Sequence, residues 1–158
     1  MSTIKEAAAE FLANQRIAVT GVSRKGGNHG GNFVYQRLRE RGYEVFAINP
    51  NADTVEGDTC YHDLKSTPST VEAVVIGTRP SYVEDTMREC AELGIRHVWM
   101  HRSFGAGSVS TKATEFGRSH GITVIDGGCP LMFGPTSDPA HKVIRAVGTL
   151  TGKVPRQV

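Results

Sequence analysis

Short apolar runs rich in β-branched residues alternate along the chain with longer segments whose apolar residues return every three or four positions. Arg16-Ile17-Ala18-Val19-Thr20 is the first run and stops at Gly21. Glu44-Val45-Phe46-Ala47-Ile48 is the second, closed by Asn49-Pro50, and Val71 to Ile76, His97 to Met100 and Ile122 to Ile125 follow. These runs lack the polar alternation of a half-exposed strand, so each reads as a strand covered on both faces. A minor strand is expected near Cys60-Tyr61.

The segments between them have helical period. Asn32 to Arg41 pairs Val34 with Leu38 and ends in arginines before Gly42. Cations suit the negative end of a helix, and glycine accepts the left-handed stop. Ser81 and Glu84 have capping-box spacing, with Pro80 just outside, and Val83, Met87, Cys90 and Ala91 share a face up to Gly94. A shorter helix is expected around Val109 to Ser119. Asp138-Pro139 starts a last one, to about 150, that carries Val143, Ile144 and Val147 on one side. A short N-terminal helix is expected over about 3–13.

Strands alternating with helices indicate βαβ units. The expectation is an α/β chain, residues 1–158 forming a single doubly wound, Rossmann-like domain: one parallel sheet with helices on both faces. Ligands of such sheets sit beyond the carboxyl ends of the strands, where the strand order reverses. Residues 21–31, 49–51, 77–80, 101–105 and 126–134 therefore become the candidates.

Composition narrows the classes. With 39% hydrophobic and 22% charged residues the chain is no disordered segment, and no apolar run reaches the roughly 20 residues that cross a bilayer. Net charge is +2, too balanced for a nucleic-acid binder. Cys60, Cys90 and Cys129 are odd in number and widely spaced, which argues against a disulfide framework and for a reducing cytoplasm. Lys5 to Leu12 carries acids and does not read as a secretion signal.

The loop after the first strand holds Gly21-Val22-Ser23-Arg24-Lys25-Gly26, then Gly27 to Gly31. Gly21 permits a tight turn, small Ser23 lets a diphosphate approach the backbone, and the following helix offers unpaired N–H groups. Arg24 and Lys25 add cations. An NAD enzyme places a carboxylate about 20 residues on to hold the ribose. Here the second strand ends in Asn49-Pro50, with no acid until Asp53. Asn49 can bond a sugar or base without charge, and Pro50 offers a flat apolar edge to a purine. Such a pocket tolerates a phosphorylated ribose and makes NAD the second choice.

Ile17 to Ser23, Gly42-Tyr43-Glu44-Val45-Phe46-Ala47-Ile48-Asn49-Pro50, Thr78-Arg79-Pro80, Val98-Trp99-Met100 and Cys129-Pro130-Leu131-Met132 together resemble the small CoA-binding proteins. These are single-domain relatives of the nucleotide-binding domain of the succinyl-CoA synthetase α subunit. The resemblance covers about Ile17 to Phe133 and implies a site for the ADP part of coenzyme A. By position, Gly21, Val22 and Ser23 would hold the diphosphate, Asn49 and Pro50 would line the adenosine, and Thr78, Arg79 and Pro80 would form the opposite lip. Gly127-Gly128 stands where the family often has Asp-Arg.

The expected function is thus binding of CoA or acyl-CoA at the Gly21–Gly31 loop, without catalysis of its own. The alternative is a small NADP-linked oxidoreductase or other nucleotide-dependent enzyme, with Arg24 and Lys25 on a 2′-phosphate. No catalytic or metal residue is assigned. Cys129 could be a thiol nucleophile or a structural cysteine, and His101 a pocket residue or a capped side chain. His29 could touch a phosphate. Cys60-Tyr61-His62-Asp63 lacks the spacing of a closed metal site. Trp99 is expected in the core, and Arg37, Arg39 and Arg41 on a solvated face. Neither nucleic acid nor membrane is expected as a partner, and the helix around Val143 to Val147 could form a homo-oligomer contact.

Overall fold

The computed structural model describes residues 2–25, 30–102, 107–134 and 137–158. In chain order the elements are α1 (Ile4–Leu12), β1 (Arg16–Thr20), α2 (Gly30–Glu40), β2 (Glu44–Ile48), β3 (Thr54–Val55), β4 (Asp58–Tyr61) and β5 (Ala73–Ile76). They continue with α3 (Pro80–Glu92), β6 (His97–Met100), α4 (Thr111–Ser119), β7 (Thr123–Asp126), a 3-10 turn (Pro130–Met132) and α5 (Pro139–Leu150).

The strands form one sheet in the order β3-β4-β2-β1-β5-β6-β7. Among the strands of the described residues, only the β3–β4 pair is antiparallel. The parallel strands, counted along the chain, thus stand in the order 3-2-1-4-5-6 of a doubly wound Rossmann-like sheet. Thr20 is in register with Ile48 on one side and Ile76 on the other, and Ile76 with Met100. The carboxyl ends of four strands therefore lie along one line. The reversal falls between β1 and β5.

Strand pleating sends alternate residues into two cores. Ile17, Val19, Val75 and Trp99 pack under α1, α2 and the 3-10 turn. Ala18, Val74, Ile76 and Val98 pack against Met87 and Cys90 of α3 and Ala113 of α4. Trp99 is fully buried, as expected; its indole N–H donates to the Gly127 carbonyl at 2.8 Å, and Phe11 meets the ring edge-on at 5.4 Å between centroids.

Several helix ends differ from the sequence reading. Pro80 is the first residue of α3 and Arg79 is its cap, without a side-chain capping bond. Proline's fixed φ suits the first helical position, so the helix starts early and leaves Ser81 inside the first turn; the expected Ser81–Glu84 box does not form. A capping box does form at α1, between Thr3 and Glu6. Asp138 caps α5 with Pro139 as its first residue, as predicted. The expected apolar face of α5 splits: Val143 and Val147 are exposed, whereas Ile144 packs against the core. Arg37 and Arg39 are partly exposed, and both are engaged. Arg37 pairs with Glu40 at 3.1 Å, and Arg39 pairs with Asp58 while lying over the Tyr35 ring. Among the described residues no helix is long and apolar enough to cross a membrane.

Candidate functional site

Three glycines fix the geometry at the strand reversal. Gly21 ends β1 with φ +74°, and a Cβ there would run into the Gly77 carbonyl and sit 2.8 Å from the Thr78 nitrogen. A Cβ on Gly31 would sit 2.8 Å from the Gly21 oxygen, and one on Gly77 2.7 Å from the Thr20 oxygen. The end of β1, the end of β5 and the first turn of α2 thus meet backbone to backbone. Gly30 and Gly31, read from sequence as loop, belong to α2, because only glycine allows the helix to come this close to the strand. The rest of that loop, Gly26 to His29, lies outside the described residues.

Asn32 holds the loop's near end. It is fully buried; its side-chain oxygen accepts from the Ser23 N–H at 2.7 Å, and its amide donates to the Ser23 oxygen at 2.8 Å and to Glu56 at 2.6 Å. The Ser23 N–H is therefore already bonded within the protein. The Ser23 hydroxyl accepts from the Lys25 N–H at 3.2 Å. Bonds from Asn32 and Gln36 hold the Glu56 carboxyl below its usual range. Replacing Asn32 with alanine should strip these partners at once and lower stability by about 1–3 kcal/mol, read as a drop in urea midpoint.

Asn49 ties the β2 end to the same loop. Its amide donates to the Val22 oxygen at 2.8 Å, and its side-chain oxygen accepts from the Asn51 N–H at 2.8 Å. Arg24 reaches across to the Asn51 oxygen at 3.0 Å.

Beside these residues opens a cavity of about 570 Å³, between the ends of β1, β2 and β5 and the start of α3. Gly21, Val22, Ser23, Asn49, Pro50, Thr78 and Arg79 all line it. Arg24 and Lys25 are exposed and do not, and Pro80 lines a second cavity of about 530 Å³ on the α2 and α5 side. The two cavities share Gly77, Thr78 and Arg79. At that junction the Thr78 hydroxyl oxygen is buried with no hydrogen-bond partner among the described residues. A buried hydroxyl left unmatched costs free energy, and at a cavity wall it marks a place where a polar ligand atom fits.

Charge in the first cavity is divided. Asp53 is nearly all exposed, bonded to His62 at 2.9 Å, and does not line it. Asp63, Asp85 and Glu89 do, on the wall away from the glycines, so the acid-free pocket expected from the β2 end is acid-free on that side alone. Asp63 accepts from the Ser66 N–H and hydroxyl, which hold its carboxyl down; Glu89 accepts from the Leu64 and Lys65 N–H groups, yet burial pushes its carboxyl up. Arg79 is exposed, and neither Glu84 nor Asp85 pairs with it; Asp85 faces Arg88 at 3.7 Å.

His101 and Cys129 both line the second cavity; Cys129 is buried there and His101 partly so. Burial, helped by the neighbouring charge of His141, lowers the His101 pKa to about 4. Among the described residues no cluster of His, Cys, Asp and Glu has the makings of a metal site, the Cys60–Asp63 stretch included. Sequence reasoning passed over Asn32 and His141. The Asp138-to-His141 spacing was visible in the chain; nothing local marks Asn32, whose partners lie 9 and 24 residues away.

A family profile described as "CoA binding domain" matches residues 15–135. The chain is 31% identical over 117 residues to "Acetate--CoA ligase [ADP-forming] II" of Archaeoglobus fulgidus, covering 68% of this chain and 17% of that ligase. A hypothetical protein of Pyrococcus horikoshii superposes with a TM-score of 0.69 at 24% identity, covering 78% of this chain and 87% of that one. The dinucleotide-forming acetyl-coenzyme A synthetase 1 of Ca. Korarchaeum cryptofilum does so with a TM-score of 0.61 at 26% identity, covering 80% and 27%. With its Rossmann-like sheet and a glycine-walled cavity at the strand reversal, the chain belongs to the CoA binding domain family.

Proposed function

We propose that the chain binds coenzyme A or an acyl-CoA across the two joined cavities, as a binding module without turnover of its own. The observation that carries this reading is the cavity at the strand reversal, whose lining gathers Gly21 to Ser23, Asn49, Pro50, Thr78 and Arg79. The adenosine lies against Asn49 and Pro50, with Asp63 and Glu89 within the same cavity as acceptors for an exocyclic amine. The phosphates lie on the glycine side, towards the N-terminus of α2, where helix N–H groups favour anions. Arg24 and Lys25 serve them from the rim. Arg79 stands between the cavities and grips a phosphate as a fork. The unmatched Thr78 hydroxyl bonds the ligand where it passes from one cavity to the other, and the pantetheine tail enters the second. The chain spans 17% of the length of the matched ligase, and the proposal takes from that relative only the coenzyme.

Calorimetry with CoA, acetyl-CoA, NAD, NADP and ATP tests it. CoA or acetyl-CoA should bind tightest, and Arg79→Ala should weaken that binding by about tenfold to a hundredfold, since a charge-assisted bond contributes about 1.5–3 kcal/mol. Binding of NADP in preference to CoA would replace this reading with the nucleotide-enzyme alternative.

A further inference from the structure

The second cavity contains a histidine that the binding reading does not use. His141 lies in the first turn of α5 and lines the cavity. Its Nδ1 is 2.8 Å from one carboxylate oxygen of Asp138, whose other oxygen accepts the His141 backbone N–H at 2.8 Å. The carboxylate holds Nδ1 as the donor, and Nε2 is left as the ring's acceptor. Phe33 stacks on the ring at 5.6 Å and 14°, which fixes its plane. Nε2 has no hydrogen-bond partner among the described residues. An imidazole oriented by a carboxylate, with its second nitrogen unmatched beside a cavity, is the arrangement of a general base.

We propose that His141, positioned by Asp138, takes the proton from the thiol at the end of the bound coenzyme and so holds it as a thiolate. The inference rests on the CoA-binding reading and adds a chemical state to it. The S–H bond breaks, its electron pair stays on sulfur, and the proton forms an N–H bond at Nε2; the resulting imidazolium faces the Asp138 carboxylate. Among the described residues, the other charged or titratable groups around this ring are Arg79 at the start of α3, Arg37 of α2 near Asp138, His101 at the end of β6 and Cys129 after β7. Arg79 and Arg37 favour an anion here. His101 stays neutral down to acid pH and adds no competing charge.

The test is a pH titration of CoA bound to the full chain, read by the ultraviolet absorbance of thiolate, with binding measured separately by calorimetry. In the wild type the bound thiol should titrate at least about one pH unit below the thiol of free CoA measured alongside. His141→Gln should return it to that of free CoA, with calorimetry showing that the variant still binds CoA. Asp138→Asn keeps a good helix cap and should move the titration partway back. A wild-type thiol that titrates like free CoA, or a lowered value that His141→Gln leaves in place, overturns the inference with the binding reading intact. Absence of CoA binding in the calorimeter removes the binding reading itself.

Discussion

Gly21→Ala should cost a large share of the chain's stability. The new methyl group would have to enter the space of the Gly77 carbonyl and lie 2.8 Å from the Thr78 nitrogen, all backbone atoms that cannot swing aside. The φ of +74° adds a second penalty. Overpacking costs about 1–3 kcal/mol and a left-handed alanine a further 1–2 kcal/mol, against a typical total stability of about 5–15 kcal/mol. Gly42→Ala is the matched control: its φ of +89° carries the conformational penalty, but nothing lies within 4 Å of the added methyl. Thermal unfolding of both variants separates the two costs. Equal losses would mean that the meeting of β1, β5 and α2 is looser than described, and with it the wall of the first cavity.

The second large effect is a loss of stability in mild acid that traces to one side chain. Burial holds His101 neutral in the folded chain, with a pKa lowered to about 4. The unfolded chain takes up that proton near pH 6.5, so it binds more protons than the folded chain between those values. Stability is therefore full above about pH 6.5 and falls as the pH drops towards about 4, by about 3 kcal/mol for a shift of this size. Other groups act in other windows. Asp58, Glu56 and Asp138 are hydrogen-bonded and held below the usual carboxylate range, so their contribution fades only under more acid conditions. Glu89, raised by burial, has the opposite sign and gains from protonation as the pH falls. Urea unfolding at pH 7, 6, 5 and 4.5 should show the decline in the wild type and a much flatter profile in His101→Gln, whatever that variant's stability at pH 7. An unchanged slope in the variant would assign the acid sensitivity elsewhere.

The strands were legible because burial on both faces leaves no room for polar residues. The runs Arg16–Thr20, Glu44–Ile48 and His97–Met100 coincide with β1, β2 and β6 residue for residue. Where other forces set the boundary, the pattern failed. Proline at the first turn of α3 moved its start ahead of the Ser81–Glu84 spacing, and the tight spaces beside Gly30 and Gly31, against the His101 side chain and the Gly21 backbone, are where α2 begins before the expected residue. β3 is two residues long and has no period to read. At the site, strand ends announced Gly21, Asn49 and Thr78, since every strand of a doubly wound sheet delivers its last residue to the same edge. Asn32 and His141 were hidden for the opposite reason. Each lies inside a helix, and what makes it matter is a partner or a cavity wall supplied by other elements of the fold.

The two residues of β3 have a bearing on how this chain behaves in crowded solution. Thr54 and Val55 form the outermost strand at one margin of the sheet, and Glu56 follows in a left-handed turn with φ 53°. Another polypeptide seeking to extend the sheet from that side finds too few main-chain groups to zip onto before the path bends away. So short a margin is a common guard against strand-by-strand aggregation, and lengthening it by even a few extended residues would take that guard away.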